Sequence, residues 1–252
     1  MRRNFLVTFF VIIAVFLLDC LSIFAAERIE ELFLRSDYPA VIEEASLVLS
    51  RGSNQPDLDR VYFYLGLSNM RMGNFSEARN DFNILLGNYQ KSRFKERANL
   101  ALADTYFLEE NYLAAKKVYE KLAEDSLSNI LSTLYYKLAQ TDIKLSNWQE
   151  AKNYLEKVKS EFPLSFEASL ARNLNSSSDF FTVQVGSFID QEKAKKAASE
   201  LKSIGFDSYV VDTISQGKTF YRVRVGKLST FNEAKELEQK LSEKNYPTKI
   251  FP

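Results

Sequence analysis

Phe181-Thr182-Val183-Gln184-Val185-Gly186 alternates apolar and polar residues, and 40 residues later Tyr221-Arg222-Val223-Arg224-Val225-Gly226 does the same. Alternation with period two marks a strand with one covered and one open face. The same offset of 40 maps Phe188 to Leu228, Ala194 to Ala234, Leu201 to Leu241, Phe206 to Tyr246 and Val210 to Ile250. Residues 179–252 therefore read as two copies of strand–helix–strand. Helices are expected near 190–204 and 230–244, with apolar stripes at Ala194, Ala197, Ala198 and Leu201, and at Ala234, Leu237 and Leu241. A small βαβ-βαβ sandwich, with a four-stranded antiparallel sheet carrying both helices on one face, buries those stripes and leaves the other face open. If Val183, Val185, Val223 and Val225 face the helices, then Thr182, Gln184, Phe220, Arg222 and Arg224 take the open face. Tyr209 and Lys249 are their counterparts on the second and fourth strands. Gly186 and Gly226 are expected to close their strands, through a positive φ or a tight turn.

Upstream, Asn173 to Ser178 is a short polar linker. Before it the chain repeats itself. Asp37-Tyr38, Asn74-Phe75, Asn111-Tyr112 and Asn147-Trp148 each place a polar turn residue before an aromatic, at spacings of 37, 37 and 36. Ala40-Val41, Ala78, Ala115 and Ala151 follow as the small apolar residues. Gly66, Ala103 and Ala139 precede the last three of these by 12 residues, each after a Leu. Phe82, Tyr119 and Leu155 come four residues after them. Small residues at matched sites let two helices approach, and the larger side chain fills the space beside them. An all-α repeat array over residues 27–172 follows, with three good units and a weaker first one. Its inner face is expected to hold a protein partner, through Arg60, Phe63, Leu67, Arg97, Leu100, Asp104, Tyr136 and Gln140. The plainer reading makes Phe63, Leu100 and Tyr136 packing residues between repeats.

Arg2 and Arg3 precede an apolar run from Phe5 to Leu18, the charge-then-apolar order of an export signal. Residues 1–26 are assigned to it, with three fates open. The signal is cleaved near Glu27, or residues 5–26 stay as a membrane anchor, or Cys20 is lipidated. In each case the chain from Glu27 onward leaves the cytoplasm, for the periplasm or cell envelope.

Composition narrows the chemistry. Lys+Arg and Asp+Glu balance at 33 each, against a simple polyanion binder. There is no His and one Cys, which removes the common neutral-pH base, His-ligated zinc and Cys–His catalysis. No cofactor and no metal site are expected. Carboxylates abound, but no pair stands at a spacing that marks a hydrolase. A four-stranded sheet with exposed aromatics is also an RNA-binding architecture. The export signal argues against it, as do the 12 basic and 10 acidic residues from Asp179 onward.

The repeat segment resembles the tetratricopeptide family. Its unit length, with Leu85-Leu86-Gly87-Asn88-Tyr89 and Ser160-Glu161-Phe162-Pro163 at the helix ends, is also similar to periplasmic scaffolds of the Tol–Pal coordinator and outer-membrane assembly type. Phe181 to Phe188, Ala194, Leu201-Lys202, Gly205-Phe206 and Tyr221 to Gly226 closely resemble the SPOR (sporulation-related repeat) family, in both halves and in order. That resemblance implies a ferredoxin-like bacterial envelope module. It also implies binding to peptidoglycan, with a preference for glycan strands stripped of stem peptides where septal wall is split. Gln184, Ser187, Phe220 and Arg222 match the family's glycan-contacting positions; Tyr209 and Arg224 are added from the open face. Phe220 stands where members often carry Trp, and Arg224 is an extra cation. The expected function is a non-catalytic adaptor, gripping wall glycan and holding a partner in cell division or wall remodelling. The alternative is an envelope-assembly scaffold working through its repeats, with the C-terminal module as a wall tether.

Overall fold

The computed structural model describes residues 25–52, 56–125, 130–174, 179–215 and 217–252. The apolar run and Cys20 lie outside the described residues, as do linker residues 175–178. The chain divides into two compact units, Met1–Leu122 and Ala123–Pro252.

The first unit is helical. Residues 25–34 form α1, followed by α2 (Tyr38–Ser50), α3 (Leu58–Arg71), α4 (Phe75–Asn88), α5 (Lys95–Leu108) and most of α6 (Tyr112–Asp125). Ala25 and Ala26, placed by sequence at the end of the export signal, are helical here, and Ala26 is fully buried. The second unit continues the pattern with α7 (Leu131–Lys144), α8 (Trp148–Glu161) and the short α9 (Phe166–Asn173).

The repeated polar–aromatic pair marks one kind of turn. The residue before each polar one is left-handed: Ser36 (φ 61°), Gly73 (φ 82°), Glu110 (φ 63°) and Ser146 (φ 63°). The next backbone N–H then reaches back five residues. Asp37 donates to Leu32 at 3.0 Å, Asn74 to Asn69 at 2.9 Å, Asn111 to Tyr106 at 2.9 Å and Asn147 to Asp142 at 2.8 Å. This is the bond that closes a helix through a left-handed residue. It satisfies a terminal carbonyl and sends the chain straight into the next helix.

Close approach between helices follows from the small residues. A Cβ built on Gly66 of α3 would stand 2.6 Å from the Phe82 ring of α4. Phe82 and Tyr119 are fully buried, as are Ala78, Ala103, Ala115 and Ala139. Beside this packing, the buried Asn69 amide donates to Asp81 Oδ2 at 2.8 Å, linking α3 to α4.

The rest of the second unit is β1 (Phe181–Phe188), α10 (Gln191–Ser203), β2 (Ser208–Ser215), β3 (Lys218–Leu228), α11 (Phe231–Ser242) and β4 (Lys249–Phe251). The sheet is antiparallel in the order β2-β3-β1-β4, so the first strand of each half is central. Val183, Val185, Val223 and Val225 meet Ala194, Ala198, Leu201 and Leu241, which puts both helices on one face. Thr230 and Glu233 form a reciprocal capping box at the start of α11, and Asp190 caps α10. Both central strands run two residues past Gly186 and Gly226, contrary to the expectation that these glycines close them. Gly226 has φ 74°, whereas Gly186 does not have a positive φ. A Cβ at Gly186 would stand 2.7 Å from the Phe188 ring, so that glycine serves a close approach.

Candidate functional site

The uncovered face of the sheet is arranged in rows, because directly opposed residues of antiparallel strands point to the same side. The central row is Tyr209 on β2, Arg224 on β3, Gln184 on β1 and Lys249 on β4. Next along the strands come Val211, Arg222 and Ser187, and then Thr213 and Phe220. All six glycan-site residues predicted from sequence therefore share one face.

Ser187 reaches that face through an irregularity. Strict alternation from Gln184 would turn it toward the helices. The β1–β3 register slips between Gln184 and Gly186, so that one residue of β1 is extra and Ser187 faces Arg222. A second slip, between Phe181 and Val183, falls where Gly226 is left-handed.

Thr182 departs from the sequence expectation. It is fully buried, its hydroxyl donating to the Val225 carbonyl at 3.2 Å and accepting from the Tyr209 hydroxyl at 3.2 Å. The Tyr209 hydroxyl is thereby engaged within the sheet, and its half-buried ring is the part left for a ligand.

The face is cationic. The Arg224 guanidinium lies 5.4 Å from the Phe251 ring centroid and Lys249 Nζ lies 5.2 Å from the same ring. Lys227 Nζ lies 5.4 Å from the Phe180 ring and 5.7 Å from that of Tyr209. Burial holds the Arg224 guanidinium below its ordinary pKa; the Tyr209 side opposes this shift, and the neighbouring Arg222 charge adds to it. Arg224 Nε and Gln184 Oε1 are both buried without a hydrogen-bond partner. One is a donor and the other an acceptor, and they belong to residues in direct register. The sequence reading left Phe251 and Lys227 out. For Phe251 the available signal was its place two residues beyond Lys249 on the same strand.

Shallow depressions also lie beside the two helices, the one at α10 with Tyr209 in its lining. One of about 600 Å³ runs along α11 beside Lys235, and one of about 320 Å³ lies between α10 and β2 beside Lys195.

The residues predicted for a partner on the repeats are placed differently. Phe63 is 1% exposed and stacks on Phe94 at 4.7 Å, with the Arg97 guanidinium 4.7 Å from its ring centroid. It is a packing residue, not part of an open face, since it sits in the same buried cluster as Tyr64 and Phe94. Asp104 accepts the Tyr119 hydroxyl across α5 and α6. Arg60 pairs with Glu30 at 3.7 Å and Asp57 at 3.9 Å. In the second unit Tyr136 packs against Ala139, Leu155 and Ala168, and Gln140 is half-buried on α7.

Residues 177–251 match the SPOR domain family, and residues 60–92 and 133–165 match a tetratricopeptide repeat family. The latter two segments are the α3–α4 and α7–α8 pairs. No curated protein matches the chain in sequence. Among solved structures, a tetratricopeptide repeat protein from Parabacteroides merdae is similar over 72% of this chain and 67% of that one, with 16% identity and a TM-score of 0.51. That likeness speaks to fold alone. Pseudomonas aeruginosa pilF is 19% identical with a TM-score of 0.45, and this chain covers 66% of it, just under two thirds, with 60% of its own length. The RlpA SPOR domain from Pseudomonas aeruginosa is covered to 97% by 29% of this chain, at 16% identity and a TM-score of 0.26. A SPOR domain implies peptidoglycan binding and an envelope setting, and tetratricopeptide repeats imply protein interaction; both are non-catalytic binding modules. No helix among the described residues is long and apolar enough to cross a membrane. The chain thus carries a SPOR domain preceded by tetratricopeptide repeats.

Proposed function

We propose that this protein is an exported adaptor, whose SPOR domain binds stripped glycan strands of septal peptidoglycan while its repeats hold a protein partner. The observation that carries this reading is the open sheet face with Gln184, Ser187, Phe220 and Arg222 on it. A sugar polymer needs flat apolar contact for its ring faces and amide, hydroxyl and guanidinium groups for its hydroxyls and N-acetyls. Phe220 supplies the ring, Gln184 and Ser187 the amide and hydroxyl, and Arg222 a rigid fork of donors. The cationic character of the face suits a strand that still bears carboxylates.

The role belongs to cell division or wall remodelling, and residues 1–26 direct the chain across the membrane. The test is sedimentation of the full chain with purified wall sacculi before and after amidase treatment. More protein should pellet with treated sacculi. Equal pelleting would remove the preference for stripped strands, and no pelleting would remove wall binding. A reporter fused after Asp179 should be active only outside the cytoplasm.

A further inference from the structure

Arg224 is the cation that the family match does not account for. Its Nε is buried and unpaired, and its neighbour in register, Gln184, holds an unpaired buried Oε1. Lys249 stands on the other side of Gln184 in the same row, and both cations converge on the Phe251 ring. Among the described residues no carboxylate pairs with Arg222, Arg224 or Lys249. A half-buried guanidinium with its charge uncompensated is costly, and an anion bound at that point removes the cost. The ligand that fits presents one negative oxygen to Arg224 and one donor hydroxyl to Gln184 a few ångströms away.

Resting on the glycan reading above, we infer that Arg224 and Lys249 form a subsite for the free lactyl carboxylate of muramic acid. Wall amidases hydrolyse the amide between that lactyl group and the stem peptide. Water is consumed, the C–N bond breaks, and a carboxylate stays on the sugar while an ammonium leaves with the peptide. Before hydrolysis the group is a neutral amide. Afterwards it is an anion able to accept charge-assisted hydrogen bonds, roughly twice as strong as neutral ones. The preference for stripped strands then has an electrostatic origin in this chain, beyond the removal of peptide bulk.

The test is calorimetry on the full chain in mild detergent with four probes of matched size. They are a stripped GlcNAc–MurNAc tetrasaccharide, the same sugar with its lactyl groups converted to methylamides, chitotetraose, and the isolated stem peptide. The stripped tetrasaccharide should bind at least tenfold more tightly than the methylamide or chitotetraose, and the stem peptide should not bind. Arg224→Gln should bring the stripped sugar down to the level at which the same variant binds the methylamide, and Arg224→Lys should recover part of the difference. A thermal melt of each variant separates loss of the subsite from loss of fold. Equal wild-type affinity for stripped and methylamide sugars would overturn the carboxylate subsite while leaving glycan binding standing. Binding of the peptide alone would also overturn it. No binding to any oligosaccharide would overturn the glycan reading itself.

Discussion

Trp148, the first residue of α8, lies with its ring centroid 4.8 Å from that of Phe181, the first residue of β1. Around this pair Ile143 and Ala151 of the last repeat meet Ala234, Phe231 and Ile250 of the SPOR domain. Lys152 Nζ pairs with Asp179 at 2.7 Å, and Lys144 Nζ lies 3.4 Å from the Phe231 ring centroid. Phe181, at 1% exposure, is covered by Trp148 of the repeat on one side and by Phe231 and Ala234 of its own domain on the other. Residues 179–252 are therefore expected to fold alone but to melt lower than residues 130–252. Trp148→Ala in the longer segment should cost about 3 kcal/mol, the low end for aromatic truncations because Trp148 is half-buried. Denaturant melts of the three proteins check this; identical midpoints would show the contact to be energetically idle.

On the open face, Gln184→Ala combined with Arg222→Ala should weaken glycan binding at least about tenfold, since each lost polar contact costs about 0.5–1.5 kcal/mol or more. Both residues are only half-buried, so the melting point should stay near wild type. Lys195→Ala with Lys235→Ala, beside the depressions on the helical side, should bind normally. If the second pair abolished binding and the first did not, the glycan would lie against the helices.

Asp81 makes the first unit sensitive to pH. Burial pushes its carboxyl from 3.8 up to about 6, opposed by the Asn69 hydrogen bond and helped by Glu77. A raised carboxyl takes up a proton on folding. The stability it contributes is thus complete below the unfolded value of 3.8 and is lost as pH rises through about 6. Asp81→Asn stays neutral, and its carbonyl can still accept from Asn69. The variant should match wild type near pH 4 and exceed it above pH 6, by up to about 2–3 kcal/mol at 1.36 kcal/mol per pKa unit. A constant difference across that range would refute the assignment.

The repeats themselves offer a pair of opposite substitutions. Gly66→Ala places a methyl into the Phe82 ring and should destabilise by about 1–3 kcal/mol. Ser146→Gly relieves a left-handed residue whose conformation costs roughly 1–2 kcal/mol for a side chain, and should stabilise by about half that after the entropy of glycine is counted. Thermal melts of the two variants should move in opposite directions.

The repeats were legible in the sequence because one turn recurs. The polar residue, the aromatic and the matched small residues are all local consequences of a left-handed cap and a close helix contact. The open face was legible for the same kind of reason. Alternation is a property of one strand, so Gln184, Arg222 and Arg224 could be assigned a side from their neighbours alone. Phe63 was harder. Its spacing allowed both the inner face and the core, and only the stacking on Phe94 and the covering Arg97 decide for the core.

What the sequence by itself determined is each periodicity: a helical array, then two strand–helix–strand halves with a polar stripe on their first strands. Only the tertiary structure decided how those stripes combine. The slip between Gln184 and Gly186 in the β1–β3 register turns Ser187 toward Arg222, and the order of the strands sets Gln184 between Arg224 and Lys249. A bulge and a strand order depend on which backbone groups pair across the sheet, and pairing joins residues tens of positions apart. The burial of Thr182 beneath Tyr209, and of Phe181 against Trp148, has the same origin. Each is imposed by a distant element, and no local pattern in the chain carries it.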